Sequence, residues 1–168
     1  MTGQKPARTR PPAERPRTGA RIAAVQALFQ AEQTGEAHEA VIDQFLRHRI
    51  GPLAEGGFED GRVPKADVPL FTAIVRAAST HAETLDGIIA AHLSAAWPLQ
   101  RLDPVLRALL RAACAELWSA PEPPAKIVIK DYVDVAHGFF GGEEPRFANG
   151  VLDAIARHLR AAEFAPQP

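Results

Sequence analysis

The residues of this 168-residue chain from which chemistry could be built are six histidines, one cysteine and a scatter of carboxylates. His38, His48, His81, His92, His137 and His158 lie far apart and share no ligand spacing. His38-Glu39 opens like the helix of a zinc protease, but the position four past His38 is Ile42, so the second imidazole is missing. Cys114 is the sole thiol and sits on an apolar stripe, which reads as an inert core residue rather than a metal ligand or half of a disulfide. Asp131 and Asp134, three apart, could serve as an acid–base pair, yet a solvated helix face accounts for them more simply. Neither GxxxxGK[ST] nor GxGxxG occurs, so no nucleotide cradle is expected. The expectation is a protein without catalytic residues, metal or cofactor, and so not an enzyme.

Cations offer more. In residues 1–21, Lys5, Arg8, Arg10, Arg15, Arg17 and Arg21 stand against Glu14 alone, a surplus of five positive charges on a chain whose net charge is −1. The remainder is therefore acidic, and a basic segment on an acidic body suits a polyanion. Arg15, Arg17 and Arg21 run directly into a helical pattern, whose first free N–H groups also favour phosphate. Arg107 and Arg111 are four apart in a central segment, and Lys126, Lys130 and Arg146 lie further on; the proposal from sequence is that several of these converge beside Arg21.

Helices must position these charges. Residues 1–17, with Pro6, Pro11, Pro12 and Pro16 and almost no apolar side chains, read as a disordered arm. Beyond it, "GARIAAVQALFQAEQTG" places Ile22, Val25, Phe29 and Gln33 on one face, with Leu28 beside them and Gly35 as the stop. Asp67 with Pro69, Asp103-Pro104 and Glu144-Pro145 are start signals, and the stripe Val105, Leu106, Leu109, Leu110, Ala113, Leu117 marks a central core helix. Ile127-Val128-Ile129 reads as helix because no second strand exists to pair with it. The sum is an all-α protein of about seven helices: an arm at 1–17, one domain at 18–163 and a tail at 164–168. No run approaches the roughly 18 apolar residues of a membrane span, and a cytoplasmic location is expected. Asn149-Gly150 is a turn signal inside a helical pattern; the expectation is that Gly150 admits a close backbone neighbour while Asn149 bonds nearby main chain.

Three segments, "ARIAAVQALFQAEQTG", "VLRALLRAACAEL" and "FANGVLDAIAR", occur in the order and spacing of the NusB family of bacterial transcription antitermination factors, and residues 17–160 resemble that family throughout. The resemblance implies an all-helical fold that binds single-stranded boxA RNA of ribosomal RNA leaders together with NusE, a protein of the small ribosomal subunit. It also implies a place in the complex that keeps RNA polymerase transcribing past terminators. On matching positions it implies RNA contact by Arg15, Arg17 and Arg21 at the first helix, by Phe29 and Arg111, and by Arg146. It implies a partner surface around Leu106, Glu144 and Phe147. Phe29 stands where many members have Tyr, Leu106 where an acid is common and Lys130-Asp131 where Asn-Glu is frequent. The loop before Phe147 is about one residue shorter than in some members.

Two other readings stand beside this one. The same helical pattern resembles the N-terminal part of some RNA cytosine methyltransferases, but the α/β cofactor domain such an enzyme needs has no pattern in this chain. A protein-only interaction module or homodimer, with the basic arm as a solubilising tail, would also fit the composition.

Overall fold

The computed structural model describes residues 15–51 and 65–166, and the first fourteen residues of the basic arm lie outside them. Eight α-helices follow one another: α1 (Pro16–Thr34), α2 (His38–His48), α3 (Val68–Thr80), α4 (Ala82–Ala91), α5 (Pro104–Ser119), α6 (Ala125–Phe139), α7 (Glu144–Leu159) and the single turn α8 (Ala161–Phe164). A 3-10 turn at Leu99–Arg101 joins α4 to α5. The all-α reading holds, and Ile127–Ile129 lie within α6. None of the described helices is long and apolar enough to cross a membrane.

The start and stop signals act as their chemistry requires. Asp103 Oδ1 accepts from the Val105 and Leu106 N–H groups at 2.8 and 3.2 Å, and Pro104 occupies the first turn of α5. Asp67 Oδ1 accepts from Leu70 N–H at 3.0 Å. Gly35 ends α1 at φ 73°, and its N–H donates to the Ala31 carbonyl at 2.9 Å, a left-handed stop at which a side chain would be strained.

The core is built around α5, which packs against α1, α3, α4, α6 and α7. Ala108, Ala112, Ala113 and Ala115 of α5 are buried, as are Ala20, Ala23, Ala24, Ala27 and Ala31 of α1, and the two helices pack together. Small residues let helix axes approach to the short end of the usual 8–10 Å spacing. This corrects the face expected for α1. Ile22 and Phe29 are only half-buried and Gln33 is exposed, while the alanines, Val25 and Leu28 are fully buried. Phe45 and Phe71 stack at 5.6 Å between centroids and join α2 to α3. Cys114 is buried, and burial pushes its thiol up to about 12.

Two boundaries move. α1 begins at Pro16 with Arg15 at its N-cap, so the arm expected at 1–17 ends before Arg17. At the other end Phe164 packs on the core beneath the Arg157 guanidinium, 4.8 Å from the ring centroid, and belongs to the domain rather than to a tail.

The expectation for Asn149-Gly150 is overturned. Both residues lie on the exposed face of α7, and a Cβ built on Gly150 meets nothing within 4 Å. The helix tolerates the glycine because its other face buries Ala148, Val151, Leu152 and Ile155. Gly150→Ala is therefore expected to stabilise the domain by about 0.5–1 kcal/mol through helix propensity alone. Urea unfolding tests this, and a destabilised variant would restore the close-approach reading.

Candidate nucleic-acid and partner interfaces

The head of α1 and the outer face of α6 flank a cavity of about 530 Å³, bordered by the cations Arg15, Arg17, Arg21 and Lys130 and by the carboxylates Asp67, Asp131 and Asp134. Arg17 and Lys130 are exposed. Ile127 lines the same cavity and leaves 56% of its surface in solvent, an apolar face between charges. Arg15 Nε is buried and has no hydrogen-bond partner among the described residues. A buried N–H donor left without an acceptor costs about 1–3 kcal/mol, so this position favours an acceptor.

Arg21 does not serve here as a contact. It is 2% exposed and committed inward. Its Nε and Nη2 donate to Glu116 Oε2 and Oε1 at 3.0 and 2.5 Å, and its Nη1 donates to Asp131 Oδ2 at 2.7 Å. Tyr132 OH donates to Glu116 Oε2 at 2.9 Å, and Thr18 Oγ1 to Asp131 Oδ1 at 2.8 Å. Burial alone would pull the Arg21 pKa down, but the bond and charge of Glu116 override it and hold the guanidinium above its ordinary value. Tyr132 is held well above its ordinary value by burial and by the Glu116 charge. Of the later cations expected to converge beside Arg21, Lys130 alone lines this cavity, next to Arg15 and Arg17; Arg107 and Arg111 line another, and Lys126 and Arg146 line neither.

Arg111 is also paired with carboxylates, but its side chain keeps 27% of its surface in solvent. Its Nε and Nη2 each donate to Asp86 at 2.9 Å and its Nη1 pairs with Glu32. It lines a separate cavity with Arg107, Glu32 and His38, and burial together with the Arg111 charge holds His38 below its ordinary pKa. Phe29 is half-buried and packs against the core. Arg146 is exposed on α7 and lines neither cavity.

The expected partner residues do come together. Leu106, Glu144 and Phe147 line one groove of about 270 Å³ with Trp97, Arg101 and Leu102. Leu106 is 4% exposed, so it forms the floor. Trp97 is the wall, with 58% of its surface in solvent. Glu144 Oε2 is buried without a donor among the described residues. Trp97 was not singled out from sequence. The signal was present, since an indole in the linker "SAAWPLQRLD" has no helical stripe to join.

Among the described residues, eight helices around a central α5, with a cationic head on α1 and an apolar groove between the α4–α5 linker and α7, define an all-helical binding domain. The family model described as "NusB family" matches residues 18–157, and the chain belongs to that family of transcription antitermination proteins. It is 59% identical to "Transcription antitermination protein NusB" of Granulibacter bethesdensis over 152 residues, covering 90% of this chain and 93% of that protein. Among solved structures, T. maritima NusB superposes with a TM-score of 0.71 at 26% identity, covering 89% of this chain and 96% of that one. A chain from a crystal structure of antitermination factors NusB and NusE in complex with dsRNA superposes with a TM-score of 0.67 at 28% identity, covering 86% of this chain and 98% of that one.

Proposed function

We propose that this chain is an antitermination adaptor acting in the cytoplasm. It binds a single-stranded boxA-type RNA at the head of α1 and NusE at the Trp97–Phe147 groove, and so helps RNA polymerase elongate past terminators. The likeness to a chain from a complex of NusB and NusE with dsRNA carries the RNA and NusE part of this reading, and the family resemblance supplies the single-stranded boxA target. The unpartnered Arg15 Nε inside a cavity flanked by Arg17 and Lys130 supports the placement of the RNA.

Phosphates neutralised by these side chains release counterions, which supplies salt-sensitive affinity. Because the chain beyond residue 21 is net acidic, a strand finds attraction at the α1 head and repulsion over much of the rest. Ile127 offers an unstacked base an apolar surface beside those cations. A second ligand bound at the groove adds coupling typically of about 1–3 kcal/mol.

Two experiments test this. Titrating a boxA-like strand against a scrambled one, with and without NusE, should give tighter binding of the boxA-like strand and a further gain with NusE. Equal affinities under all four conditions would sink the reading. Replacing Arg17 and Lys130 together by alanine should weaken RNA binding about tenfold at low salt. It should also flatten the slope of log affinity against log salt by about 1.4, two phosphate contacts at roughly 0.7 each for a single strand. An unchanged slope would place the RNA elsewhere.

A further inference from the structure

The groove's wall is held from behind by a residue that does not line it. Arg107 of α5 lies outside the groove, in the cavity it shares with Arg111 and His38. Its Nη1 donates to the carbonyls of Leu99, Gln100 and Leu102 at 3.3, 3.4 and 3.0 Å. These three carbonyls belong to the 3-10 turn and the residue after it, the segment that carries Arg101 and Leu102 into the groove and follows directly on Trp97. The other side of the guanidinium is gripped by Glu32 of α1, whose Oε1 and Oε2 accept from Arg107 Nε at 3.1 and 2.9 Å. Glu32 receives a further bond from Arg111, and the Arg107 hydrogen bond holds its carboxyl below the usual range.

We infer that Arg107 and Glu32 are positioning residues for partner binding: a clamp from α1 through a guanidinium to the backbone of the 99–102 turn that fixes the Trp97 wall against Leu106 and Phe147. This rests on the groove being the NusE surface. Only an arginine meets the geometry, because one planar fork faces a carboxylate and a cluster of carbonyls at once, while a lysine offers a single ammonium. A wall fixed before binding spares the complex the entropy of ordering a large side chain, and that term reaches the measured affinity directly. The clamp also links the two ends of the domain's function. Arg21 with Glu116 and Glu32 with Arg107 pair the same two helices, α1 and α5, at opposite ends.

The test uses the full chain and purified NusE. Arg107→Lys is expected to weaken NusE binding about tenfold, and Glu32→Gln about threefold. In a Trp118→Phe background, where Trp97 is the remaining indole, acrylamide quenching of Trp97 should increase in both variants. The melting transition should stay within a few degrees of the parent, and RNA affinity in the absence of NusE should not change. A surface ion pair of merely structural use would be restored by lysine, so unchanged NusE affinity and unchanged quenching in Arg107→Lys overturn the proposal. Phe147→Ala separates the two readings. If it leaves NusE affinity unchanged, the groove is not the partner surface and the clamp falls with it. If it weakens NusE while Arg107→Lys does not, the clamp alone is wrong.

Discussion

Arg21→Met is expected to destabilise the domain by about 3–5 kcal/mol, because it strands Glu116 and Asp131 without their cation in a site where Glu116 is closed to water. Methionine keeps most of the volume, so the loss reports charge rather than a cavity. The cost should vary little with salt, since a buried pair is poorly screened. Adding Glu116→Gln should recover at least half of it. A glutamine carbonyl still accepts from Tyr132 OH, and the more deeply buried of the two charges is gone, which leaves Asp131 alone without its cation. Urea unfolding of the single and double variants makes the measurement. A single variant within about 1 kcal/mol of the parent would mean that water reaches this cluster. The folded fraction of Arg21→Met should bind RNA with the parent's salt slope, which separates Arg21 as foundation from Arg17 and Lys130 as contacts.

That contrast shows how far the sequence could be read. Arg17 and Arg21 are four apart in one arginine-rich segment, and charge counting treats them alike. Periodicity does not tell them apart either, since Arg17 and Arg21 both fall in line with Ala24 and Leu28 on the face that α1 buries; Arg17 is exposed in the first turn, while Arg21 lies one turn further in. The large residues Ile22 and Phe29 suggested a neighbouring face, because hydrophobic size outweighs alanine in any periodicity count. Glu116 held the matching clue, a carboxylate within the apolar run "AACAELW". A buried carboxylate demands a cation, but the one that answers is 95 positions away, and periodicity carries no information across that distance. Helix starts were legible because a capping Asp acts on N–H groups two and three residues on. Leu106, Glu144 and Phe147 gather at one groove as the family resemblance implied, whereas Trp97 escaped notice because linker residues have no period to violate. Gly150 shows the opposite failure. A local rule assigned it a packing role, and the packing is absent.

The same distance problem hid Arg160, whose replacement by alanine should rival the loss of Arg21. Its side chain reaches back from the end of α7 to the far end of α5. Nε donates to the Leu117 carbonyl at 3.1 Å, Nη1 to those of Pro121 and Pro123 at 3.4 and 2.6 Å, and Nη2 to those of Glu116 and Ala120. The last carbonyls of a helix have no partner within it and carry its negative dipole end, so a cation here satisfies bonds and field together. Glu163, one turn on, accepts from Ala125 N–H at 2.9 Å and so caps the start of α6. Arg160 thus closes the α5–α6 connection from both sides. Arg160→Ala leaves five carbonyls without this donor, those of Glu116 and Leu117 among them lying in the buried part of α5, an expected cost of about 3–5 kcal/mol. In a domain of this size that corresponds to a melting temperature lower by roughly 10 °C. Arg160→Lys should recover less than half, because one ammonium cannot span carbonyls spread from Glu116 to Pro123. Hydrogen exchange would locate the damage: protection should fall first at the Ala125–Ile129 amides of α6, while amides of α1 and α3 report only the global loss. A uniform loss of protection, or an Arg160→Ala variant as stable as the parent, would show that the connection is held by its own prolines and that the guanidinium merely fills space.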